Sequence, residues 1–287
     1  MSNIEIPVIP SGCYDENGEY YEERTDEWGV HWGYRIFQIQ GHPLTRPLDN
    51  LSNLDTYKLP PVQHSYPGFA EEVAEHQEKY FCMKGMITLF EKMTSLRLFE
   101  DVLMDMCMDT PEINRMADML VDYYMKGIDN LIAAGVDCVE FGDDFGTQTG
   151  LMISPQIFKD FLKPRYVKMI RKVKAAGIKV HFHSCGANTD LLEDIADMGI
   201  DGYWPQLTSY NLEDLAVFLK KKKIAIALHF RGEIMNFGTP EEVREKVIKT
   251  AEIFDIKNGG GWFYLEVDDG FPYENTKTLF ETVDDIR

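Results

Sequence analysis

A repeating unit constrains this chain more than any other feature: a short apolar run, a loop, an amphipathic helix, then a glycine that opens the next run. The joins read Gly135-Val136-Asp137, Gly177-Ile178-Lys179 and Gly199-Ile200-Asp201. Glycine supplies the left-handed residue that ends a helix, and a β-branched residue after it favours a strand. Strand-like runs fall at 81–87, 136–141, 178–183, 200–205, 224–230 and 261–267. Helical patterns fall at 67–79, 96–108, 111–134, 155–176 (interrupted at Pro164), 190–198, 212–222, 239–254 and 275–286. Alternation at this spacing predicts parallel βαβ units and an α/β fold. The recurring join favours a closed (β/α)8 TIM-type barrel over an open sheet, and no GxGxxG follows any strand.

The chain has 287 residues, which suits one barrel domain of about 250 residues or more, spanning 1–287. Six runs are clear where such a barrel needs eight. Either the first segment supplies irregular strands, or an amino-terminal piece of the barrel is lacking. Residues 1–60 are rich in Gly, Pro, Asp and aromatics, and Asp26–Leu44 reads as a β-hairpin with Gly29 and Gly33 near its bends.

Net charge is −19, from 48 acidic and 29 basic residues. Such a surface repels phosphate backbones and anionic membranes, so neither nucleic acid nor membrane is an expected partner. No apolar run approaches the roughly 18 residues of a membrane span, and the start lacks a basic-then-apolar signal. The five cysteines show no disulfide framework, which fits free thiols in the cytoplasm.

The chemistry concentrates at His181-Phe182-His183-Ser184-Cys185-Gly186. On a strand, alternate residues share a face, so His181, His183 and Cys185 point one way near the carboxyl end, where barrel enzymes place their catalytic groups. Imidazole and thiolate suit zinc, which needs at least one more ligand. The plainer reading is a set of buried, hydrogen-bonded histidines beside an inert cysteine. Asp143 and Asp144 follow the preceding strand in a glycine-bounded loop with Gln148; they are candidates to orient a substrate or proton, alongside His181, or are plain polar loop residues. Glu266, late in the last run, is the candidate third ligand. Trp204, Gln206 and His229 end two other strands, Glu91 follows an early one, and Gln148 lies in the loop of Asp143 and Asp144; these are the candidate substrate-binding residues.

At these residues the sequence resembles the uroporphyrinogen decarboxylase superfamily, which includes corrinoid-linked, zinc-dependent methyltransferases. The resemblance rests on Asp26–Gly29 (DEWG), Asp143–Pro155 (DDFGTQTGLMISP), Lys163–Tyr166 (KPRY), His183–Gly186 (HSCG), Gly238–Val243 (GTPEEV) and Phe271–Asn275 (FPYEN). It implies a (β/α)8 barrel with its pocket at the carboxyl ends of the strands, and a homodimer. It implies zinc on His183 and Cys185, which match the family's His-x-Cys pair, and on a later residue. That residue, often Cys in members using coenzyme M, falls near Glu266. The departure points to demethylase-type members, in which a corrinoid protein takes the methyl group of a small methylated substrate. The decarboxylases carry an arginine-rich motif near their start; residues 1–25 hold only Arg24. A carboxy-lyase and a non-catalytic barrel subunit are the alternatives.

Overall fold

The computed structural model describes residues 13–35, 41–267 and 270–286. Where the sequence reads as one domain over 1–287, the contacts gather into two compact units: Met1–Pro61 with Glu91–Met119, and Val62–Phe90 with Leu120–Arg287.

The first unit holds a three-stranded antiparallel sheet of β1 (Glu22–Thr25), β2 (His31–Tyr34) and β3 (His42–Thr45), in that order. Residues 36–40 of the expected hairpin lie outside the described residues. The DEWG segment is the β1–β2 turn. Asp26 Oδ1 accepts the N–H groups of Trp28 and Val30 at 2.9 Å each, and Oδ2 accepts Trp32 Nε1 at 2.8 Å. Gly29 takes the positive φ of 78° that the turn requires. Arg97 then pairs with Asp105 at 2.9 Å, fixing the start of helix Phe99–Met108.

The second unit is built on a parallel sheet of β4 (Met83–Ile87), β5 (Cys138–Gly142), β6 (Lys179–Ser184), β7 (Gly202–Pro205), β8 (Ala225–His229) and β9 (Gly261–Tyr264). Each strand pairs with the next in chain order, and helices form the crossovers. This is α/β architecture of the TIM-barrel type. All six expected strands are present. Among the described residues β4 and β9 are the sheet's edges and do not pair with each other.

Local chemistry explains these boundaries. Gly135, Gly177 and Gly199 take φ of 74°, 78° and 96° after their helices, as the repeated joins require. Thr239 and Glu242 form a reciprocal capping box at helix Pro240–Ile253, and Asn211 accepts Asp214 N–H at 2.9 Å to start Leu212–Lys222. Pro164 has no N–H to donate, and the chain meets it with a wider π turn over Phe158–Leu162 before helix Lys163–Ala175.

Strand alternation then sorts the side chains. Val139, Phe141, Val180, Phe182, Ile226 and Leu228 are all fully buried on one face, each contributing about 1.5–3 kcal/mol of burial. The other face carries Glu140, His181, His183, Trp204, His229 and Tyr264. Polar and aromatic groups on an inward sheet face point to a site, since packing alone favours aliphatic side chains there.

Candidate metal centre

The register of the sheet assembles the site. Gly142 lies opposite His183, and His183 opposite Trp204, so the ends of β5, β6 and β7 stand side by side. His183 Nδ1 donates to the Trp204 carbonyl at 2.9 Å. A carbonyl only accepts, so the proton sits on Nδ1 and the Nε2 lone pair is left for the site. Burial is the main force holding the His183 pKa below its ordinary value, against the opposing pull of Asp144, so the neutral, ligating form is favoured.

Cys185 Sγ lies 3.4 Å from His183 Nε2, and Asp144 Oδ1 lies 3.5 Å from the same nitrogen. Ligand atoms of Asp144, His183 and Cys185 all fall within 4.8 Å of one another. Two loops hold them so. Asp144 Oδ1 accepts the Cys185 N–H at 2.7 Å, and Ala187 N–H donates to the Thr147 carbonyl at 2.8 Å. Gly186, at φ 87°, lets the loops touch: a Cβ there would stand 2.1 Å from the Gly146 carbonyl oxygen. Buried Asn188 ties the second loop back through Ser184 Oγ at 2.8 Å and the Cys185 carbonyl at 2.7 Å.

The two neighbouring acids divide. Asp144 joins the cluster. Asp143 is fully buried, and its Oδ2 accepts Leu89 N–H at 2.8 Å, Phe90 N–H at 2.6 Å and the Tyr166 hydroxyl. Its carboxylate is turned into the fabric of the protein, outside the group formed by Asp144, His183 and Cys185. His181 also departs from the expected catalytic position. Its Nδ1 meets Glu140 Oε1 at 2.9 Å, and its Nε2 is buried without a hydrogen-bond partner among the described residues. It lines a cavity of about 1280 Å³ at the opening ends of the strands, with Met83, Cys138, Gly202 and Trp262. His183 and Cys185 instead line a cavity of about 30 Å³ with Trp204, Gln206, His229 and Arg231, room for a water or an ion.

Glu266 stands 3.1 Å from His229 Nε2, outside the group formed by Asp144, His183 and Cys185. Gln206 Oε1 accepts the Gly186 N–H at 3.0 Å, and its Nε2 donates to Gln148 Oε1 at 3.0 Å, so these two candidate substrate residues brace the loop of Cys185. Trp204 lies 4.1 Å from the His183 ring and 4.3 Å from that of Tyr264. Sequence reasoning missed Tyr264, which the alternation with Trp262 and Glu266 places on the same face. Glu91 is exposed in the first turn of helix Phe90–Leu96 and belongs to the other compact unit. No helix among the described residues is long and apolar enough to cross a membrane.

The remaining family motifs are ties between elements. Tyr166 of KPRY reaches Asp143 of DDFG, and buried Asn275 of FPYEN donates to the carbonyls of Met235 at 3.0 Å and Gly238, in GTPEEV, at 2.8 Å.

Among solved structures, a methyltransferase from Methanosarcina mazei superposes with a TM-score of 0.68 at 16% identity, covering 90% of this chain and 76% of that one. At that identity the likeness is one of fold. Mannonate dehydratase from Streptococcus suis serotype 2 gives 0.45 at 14% identity, with 79% and 82% covered. Dihydropteroate synthase from Anaplasma phagocytophilum with bound 6-hydroxymethylpterin-monophosphate gives 0.40 at 14% identity, with 62% and 69% covered. Neither of these two bears on the chemistry. Comparison with curated proteins gives no match. The family model described as uroporphyrinogen decarboxylase (URO-D) matches residues 39–286, nearly the whole chain and every motif but DEWG, and the chain belongs to the uroporphyrinogen decarboxylase family.

Proposed function

We propose that this chain is a zinc-dependent methyltransferase of that family, moving a methyl group between a small methylated substrate and a corrinoid protein. The observation that carries the reading is the convergence of Asp144, His183 and Cys185, with their ligand atoms within 4.8 Å. The donor set fits the metal. Zinc bonds of about 2.0–2.3 Å in a tetrahedron place neighbouring ligand atoms about 3.3–3.7 Å apart, and the Nε2–Sγ and Nε2–Oδ1 separations are 3.4 and 3.5 Å. Two anionic donors and one neutral donor also match a divalent charge. In this reading Asp144, and not Glu266, would be the third protein ligand. Zinc held there would supply Lewis acidity toward a methylated heteroatom or a thiol, with the corrinoid of a partner as donor or acceptor of the methyl group.

The chain's own residues hold the site in shape. The Trp204 carbonyl orients His183, Gln206 fixes Gly186, and Trp204, itself packed on Tyr264, lines the small cavity beside His183 and Cys185. The methyltransferase from Methanosarcina mazei, alike in fold, accords with this reading. So does the cavity, where Arg231 is the one arginine among the described lining residues and an array for several carboxylates is lacking. The test is metal analysis of the purified chain with a methyl-transfer assay against cob(I)alamin. About one zinc per chain, lost in His183→Ala and Cys185→Ala, is expected. Absence of bound zinc in protein refolded or purified with the metal present overturns the reading and favours a non-catalytic barrel.

A further inference from the structure

We infer that Asp143 is a positioning residue for the metal cluster, with Tyr166 as its partner; this rests on the metal reading above and deepens it. Asp143 is linked to all three ligands. It is bonded covalently to Asp144, its own N–H donates to the His183 carbonyl at 3.2 Å, and through Asp144 Oδ1 the chain holds the Cys185 N–H at 2.7 Å. The hydrogen bond to the His183 carbonyl carries the β5–β6 ladder one residue past the end of β5, to the base of the cluster.

The side chain fixes that residue from the other side. Oδ2 accepts two consecutive backbone N–H groups, those of Leu89 and Phe90, and the Tyr166 hydroxyl. Leu89 N–H also lies 3.2 Å from that hydroxyl, so the four groups form one closed knot. The surroundings are aromatic: Phe141, Phe145 and Phe182 have ring centroids 6.5, 6.4 and 5.5 Å from that of Tyr166. A leucine would fill such a place without the cost of desolvating a charge. What the carboxylate adds is direction: three donors converge on one oxygen, and the loop that follows leaves at one angle.

The experiment uses the full chain, Co²⁺ as a probe metal and two variants, Asp143→Asn and Tyr166→Phe. Circular dichroism reports folding, cobalt titration reports affinity, and amide hydrogen exchange over residues 183–188 reports the loop without metal. Asp143→Asn is expected to weaken cobalt binding about tenfold or more, in the range for outer-shell partners. Tyr166→Phe, which keeps both backbone bonds, is expected to weaken it about threefold. Both are expected to speed exchange at Cys185 by a similar factor while the fold is retained. Folded variants with wild-type affinity and wild-type exchange overturn the inference. If Asp143→Asn does not fold, Tyr166→Phe decides alone. If wild-type protein takes no cobalt, the metal reading fails, and the exchange rates still decide whether Asp143 orders the loop.

Discussion

His183 and Trp204 are joined through one bond, Nδ1–H to carbonyl at 2.9 Å, and that bond determines which imidazole nitrogen faces Cys185. A ring whose Nδ1 proton is held by a fixed backbone acceptor cannot turn over without breaking it, so Nε2 is the atom left free to hold the proposed metal. Cys185→Ser, which keeps shape and removes the soft donor, is expected to lower zinc affinity by more than about a hundredfold, beyond the effect of an outer-shell change. Competition with a chromophoric chelator measures it.

The two carboxylates offered to the metal separate cleanly. Asp144→Asn is expected to weaken zinc binding about tenfold or more, because Asp144 Oδ1 is 3.5 Å from His183 Nε2. Glu266→Gln is expected to stay within about threefold, because Glu266 meets His229. The reverse order, in the same chelator assay, would return Glu266 to the metal.

Gly186→Ala is expected to destabilise the protein by about 2–4 kcal/mol, since it combines a left-handed backbone with a backbone clash. The new Cβ would stand 2.1 Å from the Gly146 oxygen. Urea denaturation measures the loss, and zinc content should fall with it.

Cys138 has its thiol pushed up to about 12, chiefly by burial and next by Glu140. The raised value keeps it neutral in the fold, whereas the unfolded chain loses that proton near 9. Stability is therefore intact below about pH 9 and falls as pH climbs from there toward 12. Cys138→Ala is expected to flatten that alkaline decline in melts taken between pH 8 and 10.5. Alkylation at pH 8 should mark exposed Cys107 and leave Cys138 unmodified.

Asn275→Ala leaves the carbonyls of Met235 and Gly238 without their shared donor. A cost of about 2 kcal/mol is expected, read as a lowered melting temperature with metal content unchanged.

Much of this was legible in the chain. Helix-ending glycines and alternating apolar runs located all six strands of the sheet, because both signals depend on backbone geometry and local burial alone. The His-x-His-x-Cys spacing located the cluster for the same reason: period two puts His183 and Cys185 on one face. It also grouped His181 with them, although His181 lines the cavity at the other end of the strands. Height along a strand is not encoded in which face a side chain takes. Asp143 and Asp144 were indistinguishable as residues. Which one turns to the cluster depends on where the loop leaves Gly142, and that is set by Leu89, Phe90 and Tyr166, distant in sequence. Glu266 was assigned by its place late in the last run, while its partner His229 is chosen by how β8 and β9 align, with His229 opposite Tyr264.

The contact of Gly146 with Gly186 bears on any attempt to transplant this site. Neither position tolerates a side chain while the other loop stays where it is, since a Cβ on Gly146 would meet Asn188 Oδ1 at 2.7 Å. A host barrel given only the histidine–cysteine loop would present two donors without the facing acid or the spacing that keeps them together. The graft that carries the centre is a matched pair of loops, each cut to fit the glycine of the other.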